Sequence, residues 1–176
     1  MSTHEQDKEM IRQCYEYTNK HSDDPDTKSG CVVQKRGPFG DYIYYYGANR
    51  IPEGMPIEPF MLERPAKYDY IEHCERDVFS QVLRSGFSLS GSTMYINWFP
   101  CVDCSRMIIG SGIKRLVLHK EGQETYERLA SITKGGDWHS IDTVDMIRKA
   151  GIQVDIVSAT YDGKVKARFR GQDVFL

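Results

Sequence analysis

Alternating strand-like and helical hydrophobic patterns predict an α/β fold with parallel strands, and three observations carry that prediction. The short apolar runs 93–98, Thr-Met-Tyr-Ile-Asn-Trp, and 115–118, Arg-Leu-Val-Leu, flank a helical segment, an order that implies parallel strands and a right-handed crossover. A second pair of runs, 31–33 and 43–46, is separated by Gly37, Pro38, Phe39, Gly40 and Asp41, turn chemistry that folds a chain back as a hairpin. A length of 176 residues, 40% of them hydrophobic and 27% charged, suits one globular domain over 1–176 with a sizeable core.

In chain order, Met10, Ile11, Cys14, Tyr15 and Thr18 recur at helical spacing and predict an amphipathic helix over 4–20. Ser22-Asp23-Asp24-Pro25-Asp26-Thr27 ends it with turn residues. After the hairpin, Pro52, Pro56, Pro59 and Pro65 mark a loop long enough to be functional or mobile. A second helix is expected from about His73 through Val78, Phe79, Val82 and Leu83 to the Ser85-Gly86 stop. The strand 93–98 delivers Pro100-Cys101 at its carboxyl end, and the helix that follows closes near Gly110 to Gly112. Helices over 121–134 and 141–149, separated by Gly135-Gly136-Asp137-Trp138-His139, precede a strand over 152–157. In the tail, 161–176, Lys164, Lys166 and Arg168 alternate with Val165, Ala167 and Phe169. That period predicts an edge strand guarded by its charges; a contact for phosphate or a neighbouring subunit is the other reading of the basic face.

Twenty-three basic and 25 acidic residues give a net charge of -2, which offers no broad electrostatic footprint for duplex DNA or tRNA. A nucleic-acid partner is therefore not expected. No apolar run reaches membrane-spanning length and the start, Met1-Ser2-Thr3-His4-Glu5, is polar, so no membrane association and a cytoplasmic location are expected. Five cysteines fit a reducing compartment better than a disulfide framework.

Chemistry concentrates in His73-Cys74-Glu75 and Pro100-Cys101-Val102-Asp103-Cys104, which together read H-x-E followed by P-C-x-x-C. His73, Cys101 and Cys104 supply one imidazole and two thiolates, three ligands for a tetrahedral Zn²⁺ whose fourth position stays open for water. A helix starting at the Pro100-Cys101 step puts both sulfurs on its first turn. There the positive end of the helix dipole favours the thiolates that a metal requires. Glu75 is better placed as a proton carrier than as a fourth ligand, which would displace the reactive water. A closed structural site would need that fourth ligand, and Cys74 is the nearest. Adjacent helical residues point about 100° apart, so His73 and Cys74 would not easily chelate one ion.

The pattern H-x-E with P-C-x-x-C is the signature of zinc-dependent nucleobase deaminases. Around it, from about Ser22 to Val157, the chain resembles the deoxycytidylate (dCMP) deaminase branch of the cytidine deaminase-like superfamily. The matching stretches are Ser22-Asp23-Asp24-Pro25-Asp26-Thr27, Gly47-Ala48-Asn49-Arg50-Ile51-Pro52, Ala66-Lys67-Tyr68, Met94-Tyr95 with Phe99-Pro100-Cys101, and 108–117. The resemblance implies a three-layer α/β/α sandwich around a mixed, roughly five-stranded sheet. It also implies one catalytic zinc ion, a homo-oligomer, and hydrolysis of dCMP to dUMP and ammonia, with dUMP feeding thymidylate synthesis. Glu75 would take a proton from the attacking water, deliver it to N3 and assist the departing amine. Backbone N–H groups near Cys74 and Cys101 would hold the pyrimidine O2, the carbonyl next to Pro100 the amino group, and Asn49 the sugar. Thr27 and Phe99 would also contact substrate.

Three residues depart from the pattern. Cys74 replaces the usual small Ala, and Asp77 stands where Asn is common. Arg50 follows Asn49 where nucleotide-regulated members carry Gly, so control by dCTP and dTTP is not implied. Lys28, Arg50, Arg64 and Lys67 are phosphate candidates by charge and position. The loop with Trp138 and His139 is either a substrate lid or a packed surface loop. Two other readings stay open: a deaminase of another base, such as a modified cytosine nucleotide or tRNA adenosine, and a non-catalytic zinc-stabilised binding module.

Overall fold

The computed structural model describes residues 3–132 and 142–176. Helix α1, Thr3–His21, forms where the helical stripe was expected, and Met10, Ile11, Cys14, Tyr15 and Thr18 are all buried. β1 (Gly30–Arg36) and β2 (Tyr42–Ala48) make the predicted hairpin. The proline-bearing loop has structure of its own: a 3-10 turn at Pro59–Leu62 and one helical turn, α2 (Lys67–Tyr70). Ile51, Met61 and Ile71 bury one another beneath it. There follow α3 (Cys74–Ser85), β3 (Thr93–Ile96), α4 (Val102–Gly110), β4 (Arg115–His119), α5 (Lys120–Ile132), α6 (Thr143–Lys149) and β5 (Gln153–Val157).

The five strands form one mixed sheet in the order β2-β1-β3-β4-β5, with β1 antiparallel to both neighbours and β3, β4 and β5 parallel. Its central strands are apolar on both faces because each face is covered. Cys31, Val33, Met94, Ile96, Leu116 and Leu118 pack with Val78 and Val82 of α3, Ile108 of α4 and Ile147 of α6. The alternate residues Val32, Tyr95 and Val117 pack with Met10, Ile11, Cys14 and Tyr15 of α1 and Leu129 of α5. Each such fully buried side chain contributes about 1.5–3 kcal/mol. The result is the α/β/α sandwich.

Three elements differ from expectation. The run 93–98 leaves the sheet after Ile96, because Asn97 replaces the next ladder step: its N–H donates to the Gly30 carbonyl and its Oδ1 accepts the Gly30 N–H at 2.9 Å. Trp98 and Phe99 are thereby released toward the carboxyl end of the sheet. The tail strand, β6 (Lys166–Phe169), does not stand alone. It pairs with β7 (Gln172–Phe175) in a separate two-stranded hairpin. Ala167 and Phe169 are buried on its inner face, while Lys166 and Arg168 pair with Asp173 outside. The helix expected over 141–149 begins at Thr143, where the Asp142 carboxylate caps the N–H groups of Val144 and Asp145. Trp138, His139 and the expected end of α5 lie outside the described residues. Among those residues no helix is long and apolar enough to cross a membrane.

Candidate active site

Two helix starts converge at the carboxyl end of β3. α3 begins at Cys74, leaving His73 extended at its N-cap (φ -71, ψ 153) with an imidazole that makes no capping bond. α4 begins with Cys101 as N-cap, its Sγ accepting the Cys104 N–H at 3.4 Å, while Ser105 donates both its N–H and its hydroxyl to the Cys101 carbonyl. Cys104 Sγ stands 3.6 Å from His73 Nδ1. The ligand atoms of His73, Cys101 and Cys104 all lie within 4.8 Å of one another, so the three can share one ion.

The electrostatics of the trio suit a dication. A hydrogen bond from Cys104, opposed by burial and helped by His73, pulls the Cys101 thiol down to about 3. Cys104 is pushed strongly up by its Cys101 neighbour and by burial. Burial opposes charge on His73, but Cys101 and Glu75 outweigh it and raise the imidazole. One thiolate, one thiol and a protonation-prone imidazole are crowded together. A divalent cation between them stabilises both sulfurs as thiolates and the imidazole as a neutral ligand.

Glu75 sits in the first turn of α3, 3% exposed, and faces the cleft. Its Oε2 accepts from Cys74 Sγ at 3.2 Å. The Cys74 sulfur is turned into the core, 3.4 Å from Ser29 Oγ, and burial keeps it protonated. It is outside the metal-capable group, in line with its reading as a small packed residue. The backbone must come close here: a Cβ on Gly47 would lie 2.1 Å from the Cys74 carbonyl oxygen, so β2 can pass the start of α3 only with glycine at that point.

The other expected site residues separate into two groups. Thr27, Asn49, Phe99, Arg64 and Lys67 line a cleft of about 1100 Å³ with His73, Glu75 and Cys101. Asn49 is committed at both ends, its Oδ1 accepting the Cys74 N–H at 3.0 Å and its Nδ2 donating to the Thr27 carbonyl at 3.2 Å. Within the fold it therefore clamps the start of α3 to the loop at Thr27. Lys67 is buried and bridges Asp24 (2.7 Å) and Asp26 (3.0 Å), and Arg64 also pairs with Asp26. Lys28 and Arg50 are not brought to the cleft. Lys28 donates to the Asn19 carbonyl in a separate basic pocket with Lys166 and Arg168, and Arg50 pairs with Asp77. Sequence reasoning missed Arg76, Trp98, Tyr126 and Arg170, which also line the cleft. The last had a usable signal: Arg170-Gly171 separates two short alternating runs by the two residues of a tight hairpin.

A buried carboxylate beside a one-imidazole, two-thiolate trio, at the end of a parallel strand pair in an α/β/α sandwich, defines the class as a single-ion hydrolytic site. Residues 4–120 match the family model of the cytidine and deoxycytidylate deaminase zinc-binding region, and the chain belongs to that family. Zinc is accordingly the cofactor, and the donor set suits it.

The deoxycytidylate deaminase of Enterobacteria phage T2 is 39% identical over 82 residues, 47% of this chain and 36% of the phage protein. Human deoxycytidylate deaminase is 28% identical over 122 residues, covering 62% and 65% of the two chains. The chain thus spans from about a third to two thirds of the length of these curated relatives. A dCMP deaminase from the cyanophage S-TIM5, solved with dCMP and dUMP, superposes with a TM-score of 0.63 at 20% identity, over 89% of this chain and 99% of that one. That likeness shows the fold.

Proposed function

We propose that this chain hydrolyses dCMP to dUMP and ammonia. The observation that carries the proposal is Glu75, a carboxylate 3% exposed that shares a cleft with His73 and Cys101, two members of the metal-capable group His73, Cys101 and Cys104. Family membership supports deamination of a cytosine nucleotide, and the names of the phage and human relatives support dCMP.

In this reading His73, Cys101 and Cys104 would hold the zinc, which would supply a water acidic enough to lose a proton near neutrality. Glu75 accepts that proton, passes it to N3 of the cytosine and then carries a proton to the departing amine. A C4–O bond forms and the C4–N bond breaks, so one water is consumed and one ammonia released. The Cys74 thiol steadies Oε2 of Glu75, leaving Oε1 for proton transfer. Phe99 packs the base, the carbonyl beside Pro100 receives the amino group, and Thr27 meets the sugar side. Asn49 acts chiefly by holding the start of α3 against Thr27. A cytoplasmic homo-oligomer supplying dUMP for thymidylate synthesis completes the proposal.

The test is ammonia release from dCMP, dCTP, deoxycytidine, CMP, dAMP and tRNA, with zinc-loaded Glu75→Gln as control. Preferential release from dCMP, lost in the variant, is expected. Preference for another base would overturn the substrate, and identical behaviour of the two proteins in every assay would point to a non-catalytic zinc-stabilised module.

A further inference from the structure

We propose that Arg170, carried on the turn of the C-terminal hairpin, is the residue that binds the 5′-phosphate of the substrate. The inference rests on the dCMP reading and names its phosphate contact, in a part of the chain beyond residue 120, where the family match ends.

Among the described residues, five Lys and Arg side chains line the cleft: Arg64, Lys67, Arg76, Arg106 and Arg170. Four are already neutralised. Arg64 pairs with Asp26, Lys67 with Asp24 and Asp26, Arg76 with Glu72, and Arg106 with Asp103. Among the described residues no carboxylate pairs with Arg170. Its guanidinium lies 6.0 Å from the centroid of the Tyr126 ring, with Nη1 3.5 Å from the Tyr126 hydroxyl. Its Nε is buried with no hydrogen-bond partner among the described residues. A guanidinium fork with an unused donor and no counter-charge, on the wall of a cleft, is matched to a phosphate dianion.

The backbone supports the same conclusion. Arg170 and Gly171 have φ of 51° and 82° and are the two central residues of a tight β6–β7 turn. Such a turn favours Asn or Gly at its first position, and an arginine there is held against local preference. What holds it is the loop that lines the cleft. Gly171 donates its N–H to the Asp26 carbonyl (2.7 Å), Lys28 to the Arg168 carbonyl (2.9 Å), and Arg170 to Thr27 Oγ1 (3.1 Å). Phe169, fully buried against Trp98, pins the hairpin from below. Four contacts thus fix the turn so that Arg170 and Thr27 line the same cleft as His73, Glu75 and Cys101.

The experiment compares kcat/KM for dCMP and for deoxycytidine, which lacks the phosphate, in zinc-loaded wild type, Arg170→Asn and Arg170→Lys. Asn tolerates the positive φ, so the turn is retained. Loss of a charge-assisted bond predicts that the dCMP-over-deoxycytidine ratio falls about 100-fold in Arg170→Asn and recovers in part with Lys, with zinc content and thermal midpoint unchanged. An unchanged ratio, or equal loss on both substrates, overturns the role of Arg170 while leaving dCMP deamination standing. A wild type with no preference for the phosphorylated substrate overturns the inference and the dCMP reading together.

Discussion

His73, Glu75, Cys101 and Cys104 are held by the starts of α3 and α4, whereas Thr27 and Arg170 are held by a loop and a hairpin turn joined through backbone bonds. The helical side uses residues close together in sequence and fixes them by helix periodicity and N-terminal dipoles. The looped side joins segments 143 residues apart. The contrast separates two tasks. Positioning a metal and a proton carrier requires a rigid constellation, whereas choosing between a nucleotide and a nucleoside requires only one cation fixed within the cleft.

The contrast breaks or sharpens under mutation. Replacing Cys104 with Ala removes a sulfur from the trio, and metal analysis of the purified protein should find zinc lost together with all turnover. Glu75→Gln should keep its zinc and lower kcat by up to about 10⁴-fold. If it kept wild-type turnover, the helical side would not carry the proton. On the looped side, Lys67→Met leaves Asp24 and Asp26 without their buried bridge, and denaturant unfolding should show about 3–5 kcal/mol of lost stability.

Asn49 spans both sides, so Asn49→Ala should cost about 1–3 kcal/mol by leaving the Cys74 N–H and the Thr27 carbonyl unpaired. Its kcat for dCMP should fall with it.

The smallest effect is in acid. Burial works against the Asp26 carboxylate, but hydrogen bonds from Lys67 and Arg64 outweigh it and hold its pKa below the ordinary value of 3.8. Because the folded value is the lower one, the contribution is full above the ordinary carboxylate range and is lost as pH falls through the depressed value. Urea midpoints of wild type and Asp26→Asn should differ by about 1 kcal/mol or less near neutrality and converge in acid. A gap that widened in acid would reverse the sign.

Much of the helical side was legible in the sequence. The His73-Cys74-Glu75 and Cys101-to-Cys104 spacings are local, and the apolar run 93–98 marked the strand that delivers Pro100-Cys101, although it leaves the sheet after Ile96. Lys28, Arg50 and Lys67 show where that legibility ends. Each is a cation near a matched motif, yet the fold commits Lys67 to two aspartates, Arg50 to Asp77 and Lys28 to another pocket. Charge can be read from a sequence, but neutralisation by a distant carboxylate cannot. Arg170 was missed for the converse reason, since only the docking of Phe169 and Gly171 turns an exposed-looking turn residue into part of the cleft.

The division of labour is tested most directly by kcat/KM for dCMP and deoxycytidine measured side by side in zinc-loaded wild type, Glu75→Gln and Arg170→Asn. The expected result is that Glu75→Gln lowers both substrates by one factor and leaves their ratio untouched, while Arg170→Asn collapses the ratio. If Glu75→Gln shifted the ratio as strongly as Arg170→Asn, or if neither variant moved it, the helix-held and the loop-held residues would not perform separate tasks.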